Sequence, residues 1–164
     1  MENKDGLFAV KENEYGDQYK DHFLKQYELY ISSVEKISDR RQHANNYFIT
    51  INTALISFIG LSSQIKILQH IEWLLVLLPA FGIIVCIIFW YLIRSYKQMN
   101  SGKFQVIHEI EKQLPLMLYK YEWEILEKGE NPEVYYPFSH IELLLPWVFG
   151  AIYFLLVVLL ISQV

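Results

Sequence analysis

A single cysteine, Cys86, stands among 164 residues. That excludes an intrachain disulfide and any thiolate-rich metal site. Its place inside an apolar run reads as a small buried hydrophobe. Proline and glycine are scarce, and neither occurs from residue 18 to residue 59, so nothing in that stretch breaks a helix. The five histidines include no pair four residues apart, and there is no His-Glu-x-x-His motif. Glycine-rich phosphate loops and the Gly-x-Ser-x-Gly elbow are also missing. His108 with Glu109 and Glu111 is the nearest approach to a ligand cluster, and it reads as a solvated helix face. Glu122 and Glu124 point different ways on a helix. The chain is therefore expected not to be an enzyme and to need no cofactor and no metal.

Charge is missing in long blocks. The chain has 14 basic and 18 acidic side chains. Yet residues 42–65, 73–93 and 143–164, stretches of 24, 21 and 22, contain none of them. A bilayer core about 30 Å thick takes roughly 20 apolar residues of helix. The fold class expected is therefore all-α, an integral membrane protein with three transmembrane helices and helical cytosolic extensions. What remains is shorter than a catalytic domain of ordinary size, roughly 100 residues or more. A net charge of −4 argues against a nucleic-acid partner. Residues 1–41 carry 7 basic and 9 acidic side chains and no apolar run, so no cleavable signal is expected and the first span is retained.

The basic residues set an orientation. Seven lie in residues 1–41, six in residues 94–142, and only Lys66 in the first loop. Three spans then put 13 of 14 cations on one side, which the positive-inside rule makes cytoplasmic. The expectation is an inner (plasma) membrane protein with a cytoplasmic N-terminus and its C-terminus at the outer face. Trp73, Trp90, Tyr91 and Trp147 fall near span ends, as an aromatic belt requires.

Along the chain, residues 1–17 read as a flexible or loosely docked polar leader. Phe23, Tyr27, Tyr30, Val34 and Ile37 step by 4, 3, 4, 3, a heptad seam. Ala44, Phe48, Ile51, Leu55 and Phe58 continue it into the first span. Residues 18–65 are thus expected to form one cytosolic helix continuous with that span, about 72 Å long at 1.5 Å per residue. A short hairpin near residues 64–70 leads to the second span and its helical extension, residues 71–114. Pro79 lies inside that span, and a kink is expected there. Residues 115–138 form a short cytosolic helix and loop. Residues 139–164 form the third span. Either Ser139 and Glu142 open it as a capping box, or its membrane helix proper starts at Pro146, where proline costs little.

Two features rise above ordinary packing. First, Asp39, His43, Asn46, Thr50, Thr53, Ser57, Gly60 and Gln64 step by 4 and 3 along one face. Copies of such a helix around an axis line a narrow wet path. The alternative is close helix packing through small and hydroxyl residues. Second, Asp39, Arg40 and Arg41 sit at the cytosolic mouth. They serve either as contacts to lipid phosphates or as a salt-bridged gate between subunits.

The helix running through Asp39-Arg40-Arg41 and Asn45-Asn46 into a hairpin with helical extensions resembles small bacterial membrane proteins of the SLATT type, over roughly residues 20–115. Those proteins accompany nucleotide-signalling and other conflict systems and are thought to permeabilise membranes. The third span departs from their two-span pattern. The resemblance implies an oligomeric effector that permeabilises or depolarises the membrane, in an antiviral or conflict system. Its expected partners are membrane lipids, further copies of the chain, and a cytosolic activating protein or nucleotide sensor. The alternative is a membrane-anchored interaction or regulatory subunit without pore activity, using Tyr27, Tyr30, Tyr119, Tyr121, Trp123, Tyr135 and Tyr136. An enzyme acting on lipid would need a polar cluster near the interface, where Glu142, His140 and Tyr136 fall, but capping accounts for Glu142.

Overall fold

In the computed structural model, residues 6–62 and 72–162 are described. The expected hairpin and Gln64 lie outside them. The described elements are α1 (Glu12–Tyr15), α2 (Tyr19–Ser62), α3 (Glu72–Glu111), α4 (Leu118–Ile125) and α5 (Phe138–Ile161), with a short 3-10 turn at Glu127–Gly129. Among the described residues there is no strand.

Helix α2 runs unbroken for 44 residues, about 66 Å. Its start is set by Gly16, whose φ of 94° ends α1 in a conformation that a side chain would oppose. Upstream, Phe8 stacks on Phe23 with ring centroids 6.4 Å apart, so the leader folds back on α2. Helix α3 is the central element and packs against both α2 and α5. Its buried positions Pro79, Gly82, Cys86, Phe89 and Ile93 step by 3, 4, 3, 4, one seam of a coiled-coil-like contact. Pro79 sits within the helix, where a membrane helix tolerates it.

The core lies where the three long helices meet. Phe48 of α2 stacks on Phe89 of α3 at 3.9 Å between centroids and meets Phe149 of α5 edge-on at 5.5 Å. Such pairs contribute about 0.5–1.5 kcal/mol each beyond area burial.

The α2 seam departs from the heptad expected of it. Val34, Ile37 and Phe48 are buried, but Ile51 and Phe58 are 51% and 45% exposed. Asn45, Asn52, Ile59 and Ser62 are buried instead. The steps Ile37–Arg41–Asn45 are both of four, which advances the seam by one position. A straight helix of 3.6 residues per turn drifts away from a 3.5 repeat, and over this length the drift brings asparagines inward.

Among the described residues two helices are long and apolar enough to cross a membrane, α3 over Val76–Glu111 and α5. The expectation of three spans is corrected to two. Residues 42–62 of α2 lack charge but carry Asn45, Asn46, Thr50, Asn52, Thr53, Ser57 and Ser62, and these polar groups offset its apolar residues. The capping box also fails. The N-cap of α5 is Pro137, with no side-chain hydrogen bond, and Glu142 turns inward.

Beyond the apolar core, α2 and α3 stay together at the charged end. Lys103 donates to Ser33 Oγ at 2.7 Å and lies 4.5 Å from the Tyr30 ring. Helix α4 then folds back on α3. Glu111, fully buried and not on a solvated face, accepts from the backbone N–H groups of Tyr119 at 2.8 Å and Lys120 at 3.1 Å. A carboxylate there satisfies orphan donors and complements the helix dipole.

Candidate functional site

Polar groups inside an apolar bundle are costly unless paired, so they mark positions where structure or function demands them. Two such groups form here, one at the middle of the apolar core and one at its charged end.

The inner node joins all three long helices. Asn52 is fully buried. Its Nδ2 donates to the Phe48 carbonyl at 2.7 Å. Its Oδ1 accepts from the Tyr153 hydroxyl at 2.9 Å, and Cys86 Sγ lies 3.9 Å from that same oxygen. The Tyr153 ring reaches Asn52 because Gly82 leaves room for it. A Cβ at Gly82 would stand 2.5 Å from Tyr153 Cζ. Every polar atom of Asn52 and Tyr153 therefore has a partner.

The outer node ties α2 to α5. Glu142 is buried, and its Oε1 accepts from Asn45 Nδ2 at 2.6 Å. Arg41 Nε lies 3.4 Å from Glu142 Oε2. That contact is an ion pair without hydrogen-bond alignment. Arg41 Nε, Glu142 Oε2 and Asn45 Oδ1 are buried with no hydrogen-bond partner. The attraction holds the helices together, but the desolvation of both ions is incompletely offset.

The residues singled out in the sequence take different places. Asn46, Thr50, Thr53, Ser57 and Gly60 are all exposed, on the side of α2 away from α3 and α5. Thr50 Oγ1 donates back to the Asn46 carbonyl at 2.8 Å. Asp39 and Arg40 are exposed too, whereas Arg41 is drawn inward to Glu142. The buried set of Asn45, Asn52, Glu142 and Tyr153 lies outside the stripe and the mouth: the sequence reads Glu142 as a cap and assigns Asn52 and Tyr153 no role. Its signal is the spacing: Asn45 and Asn52 stand seven apart and Glu142 and Tyr153 eleven, so each pair falls on one helical face, the second in an otherwise apolar run. Among the described residues, no three His, Cys, Asp or Glu side chains converge as a metal site would require.

Side chains at the charged end shape one another's proton affinity. Burial, then the negative charge of Glu111, raises the Tyr27 hydroxyl above its usual value. Burial, then Glu35, Glu122 and Glu111, does the same for Tyr119.

No curated protein and no solved structure matches the chain. A family model described as "Octameric membrane protein family (8xMP)" matches residues 24–162. That match supports the small, oligomeric membrane protein implied by the SLATT resemblance, but not the SLATT type itself. It covers both polar nodes, the exposed stripe and both apolar helices, and the chain is a homo-oligomeric membrane protein that belongs to the octameric membrane protein family.

Proposed function

We propose that this protein is an oligomeric membrane effector. Copies of the chain, eight by the family's description, form a ring whose inner wall is the exposed stripe of α2. The assembly permeabilises or depolarises the bacterial inner membrane.

The observation that carries this proposal is a mismatch of depth and polarity. Residues 45–62 of α2 lie level with the apolar helices, tied to them by the Phe48–Phe89 stack and the Asn52–Tyr153 bond. The outward face of that segment nevertheless presents Asn46, Thr50, Thr53, Ser57 and Gly60. Thr50 is satisfied by the Asn46 carbonyl, but hydrocarbon offers the Asn46 amide and the Thr53 and Ser57 hydroxyls no hydrogen bonds. Water in a pore, or the same face of a neighbouring copy, does. In contrast, α3 and α5 expose Phe81, Ile84, Ile88, Trp147, Phe154 and Leu155, the side chains that suit lipid.

The excess of Lys and Arg at one end orients the N-terminus and the segment between α3 and α5 toward the cytoplasm, with the C-terminus at the outer face; this orientation has α2 cross beside the two apolar helices, its polar face shielded from lipid by neighbouring copies. Asp39 and Arg40, exposed at that mouth, meet lipid phosphates or a neighbouring subunit. The cytoplasmic parts of α2 and α3, with α4, receive a cytosolic activating protein or nucleotide sensor, as in an antiviral or conflict system. The test is Thr53→Leu together with Ser57→Leu, with membrane potential and growth followed after expression. Depolarisation by the parent and its loss in the variant, with the oligomer intact, supports the lining. An unchanged leak refutes it.

A second possibility, a membrane-anchored interaction or regulatory subunit, is favoured by Tyr121 at 65% and Tyr136 at 50% exposure beside the charged end. Aromatic side chains of this kind are enriched at protein interfaces. Co-purification of a cytosolic protein, with membrane potential unchanged at every expression level, selects that role.

A further inference from the structure

A cavity of about 620 Å³ opens between α3, α4 and the start of α5. Its size is ordinary for a small-molecule site. Its walls include Arg41, Lys97 and Lys128 against a single carboxylate, Glu122. Among the described residues, neither Lys97 nor Lys128 is held in an ion pair. The cavity therefore carries an unneutralised positive charge, which sets it apart from a chain that is acidic as a whole.

Three further features give that charge a direction. Phe138 and Ser139, in the first turn of α5, line the cavity. That turn contains no acidic residue, and its N-cap supplies no side-chain acceptor. The start of α4 is served by Glu111; the start of α5 is left for an outside anion, which a helix N-terminus attracts. Asn100 also lines the cavity; its Oδ1 is shut off from solvent and has no hydrogen-bond partner, so it accepts from a ligand hydroxyl once the side chain turns toward the cavity. On the far wall, Gly129 adopts φ 68° and lies where a Cβ would strike Pro137 at 2.7 Å. The loop that closes the cavity is thus built around a residue that only glycine fits.

We propose that this cavity binds a phosphate ester bearing free hydroxyl groups. Lys97 and Lys128 hold the phosphate, the first turn of α5 adds its N–H groups, and Asn100 accepts from a hydroxyl. Two sources share this chemistry, the headgroup of phosphatidylglycerol and a soluble polyol phosphate. The cavity lies just past the apolar stretch of α3, at headgroup depth. Lys97, Ser101 and Gln105 also line an adjoining cavity of about 540 Å³ that reaches Leu143, a route by which an acyl chain enters the apolar layer. The site is separate from the α2 stripe and does not depend on pore activity.

The test uses the detergent-purified oligomer and reads binding, not leak. Native mass spectrometry follows titration with phosphatidylglycerol, with phosphatidylcholine, and separately with glycerol 3-phosphate. At about 1 kcal/mol per basic residue near a phosphate surface, Lys97→Gln with Lys128→Gln lowers affinity roughly thirty-fold, converted at 1.4 kcal/mol per decade. Lys128→Gln alone, on an exposed side chain, lowers it about five-fold by the same conversion and serves if the double variant fails to assemble. Preference for phosphatidylglycerol that the substitutions abolish identifies the lipid. Glycerol 3-phosphate binding that they abolish identifies a soluble ligand. Absence of both, or binding equally tight in the variants, overturns the proposal.

Discussion

The two buried polar nodes are built from similar parts and end in opposite condition. At the inner node a neutral amide meets a neutral hydroxyl, and all their polar atoms are matched at 2.7–2.9 Å. At the outer node two ions and an amide meet, and three polar atoms remain without hydrogen-bond partners. In a region of low dielectric a fully matched network rigidifies, whereas a partly matched one leaves part of its desolvation cost uncompensated. The inner node is therefore a lock on the three-helix register. The outer node, at the charged mouth between α2 and α5, is the junction that separates first under load.

The largest effect expected from breaking this contrast is at the outer node. Arg41→Ala leaves the Glu142 carboxylate buried without its cation, at a cost of about 3–5 kcal/mol. Loss of the folded oligomer on heating in detergent, roughly 6–20 °C earlier than the parent at about 2–4 °C per kcal/mol, is the expected readout, and a variant as stable as the parent shows that the ion pair does not hold the helices together. At the inner node, Gly82→Ala drives a methyl into the Tyr153 ring and costs about 1–3 kcal/mol. Gly150→Ala, with only Cys86 Cβ at 4.0 Å, serves as the tolerated control in the same melt. Tyr153→Phe removes one hydroxyl from a matched pair and costs about 0.6 kcal/mol, the average for hydrogen bonds between membrane helices, and at most about 1.7.

The comparison is sharpened by replacing both ions. Arg41→Met and Glu142→Leu, with Asn45→Leu because its buried amide would otherwise lose its Glu142 partner, are expected to restore stability to near or above that of the parent, because the incompletely offset desolvation disappears with the polar groups. If this triple variant is as weak as Arg41→Ala, the outer node is a lock after all. The smallest effect is alkaline. Tyr27 and Tyr119 have folded-state pKa values above the unfolded value of about 10. Their contribution is fully present below pH 10 and declines as pH rises through the folded values. The helix pair at the charged end should loosen above pH 10 before the apolar core does, measured by amide exchange resolved along the chain.

Much of the architecture is legible from pattern alone. The length of α2 follows from the lack of Pro and Gly between residues 18 and 59. The apolar helices α3 and α5 follow from blocks without charge. The seam of α2 does not, because a heptad extrapolated across Arg41 points Ile51 and Phe58 inward, whereas two steps of four bring Asn45 and Asn52 in their place. Glu142 was hidden for a related reason. Three residues after Ser139 it satisfies the rule for a cap, and nothing local reveals that a preceding proline takes the cap position and that Arg41 and Asn45, a hundred residues earlier in sequence, stand opposite.

Periodicity and charge, which are properties of neighbours along the chain, were enough to determine that this is a helical membrane protein with a charged end and a polar stripe on its longest helix. Which polar side chains are paired was decided only by tertiary packing. The Asn52–Tyr153 bond, the Arg41–Glu142 ion pair and the basic cavity each join residues on different helices, and their geometry depends on the rotation and depth of one helix against another. That rotation is the sum of small departures from 3.5 residues per turn over more than forty residues, a quantity no short window of sequence contains.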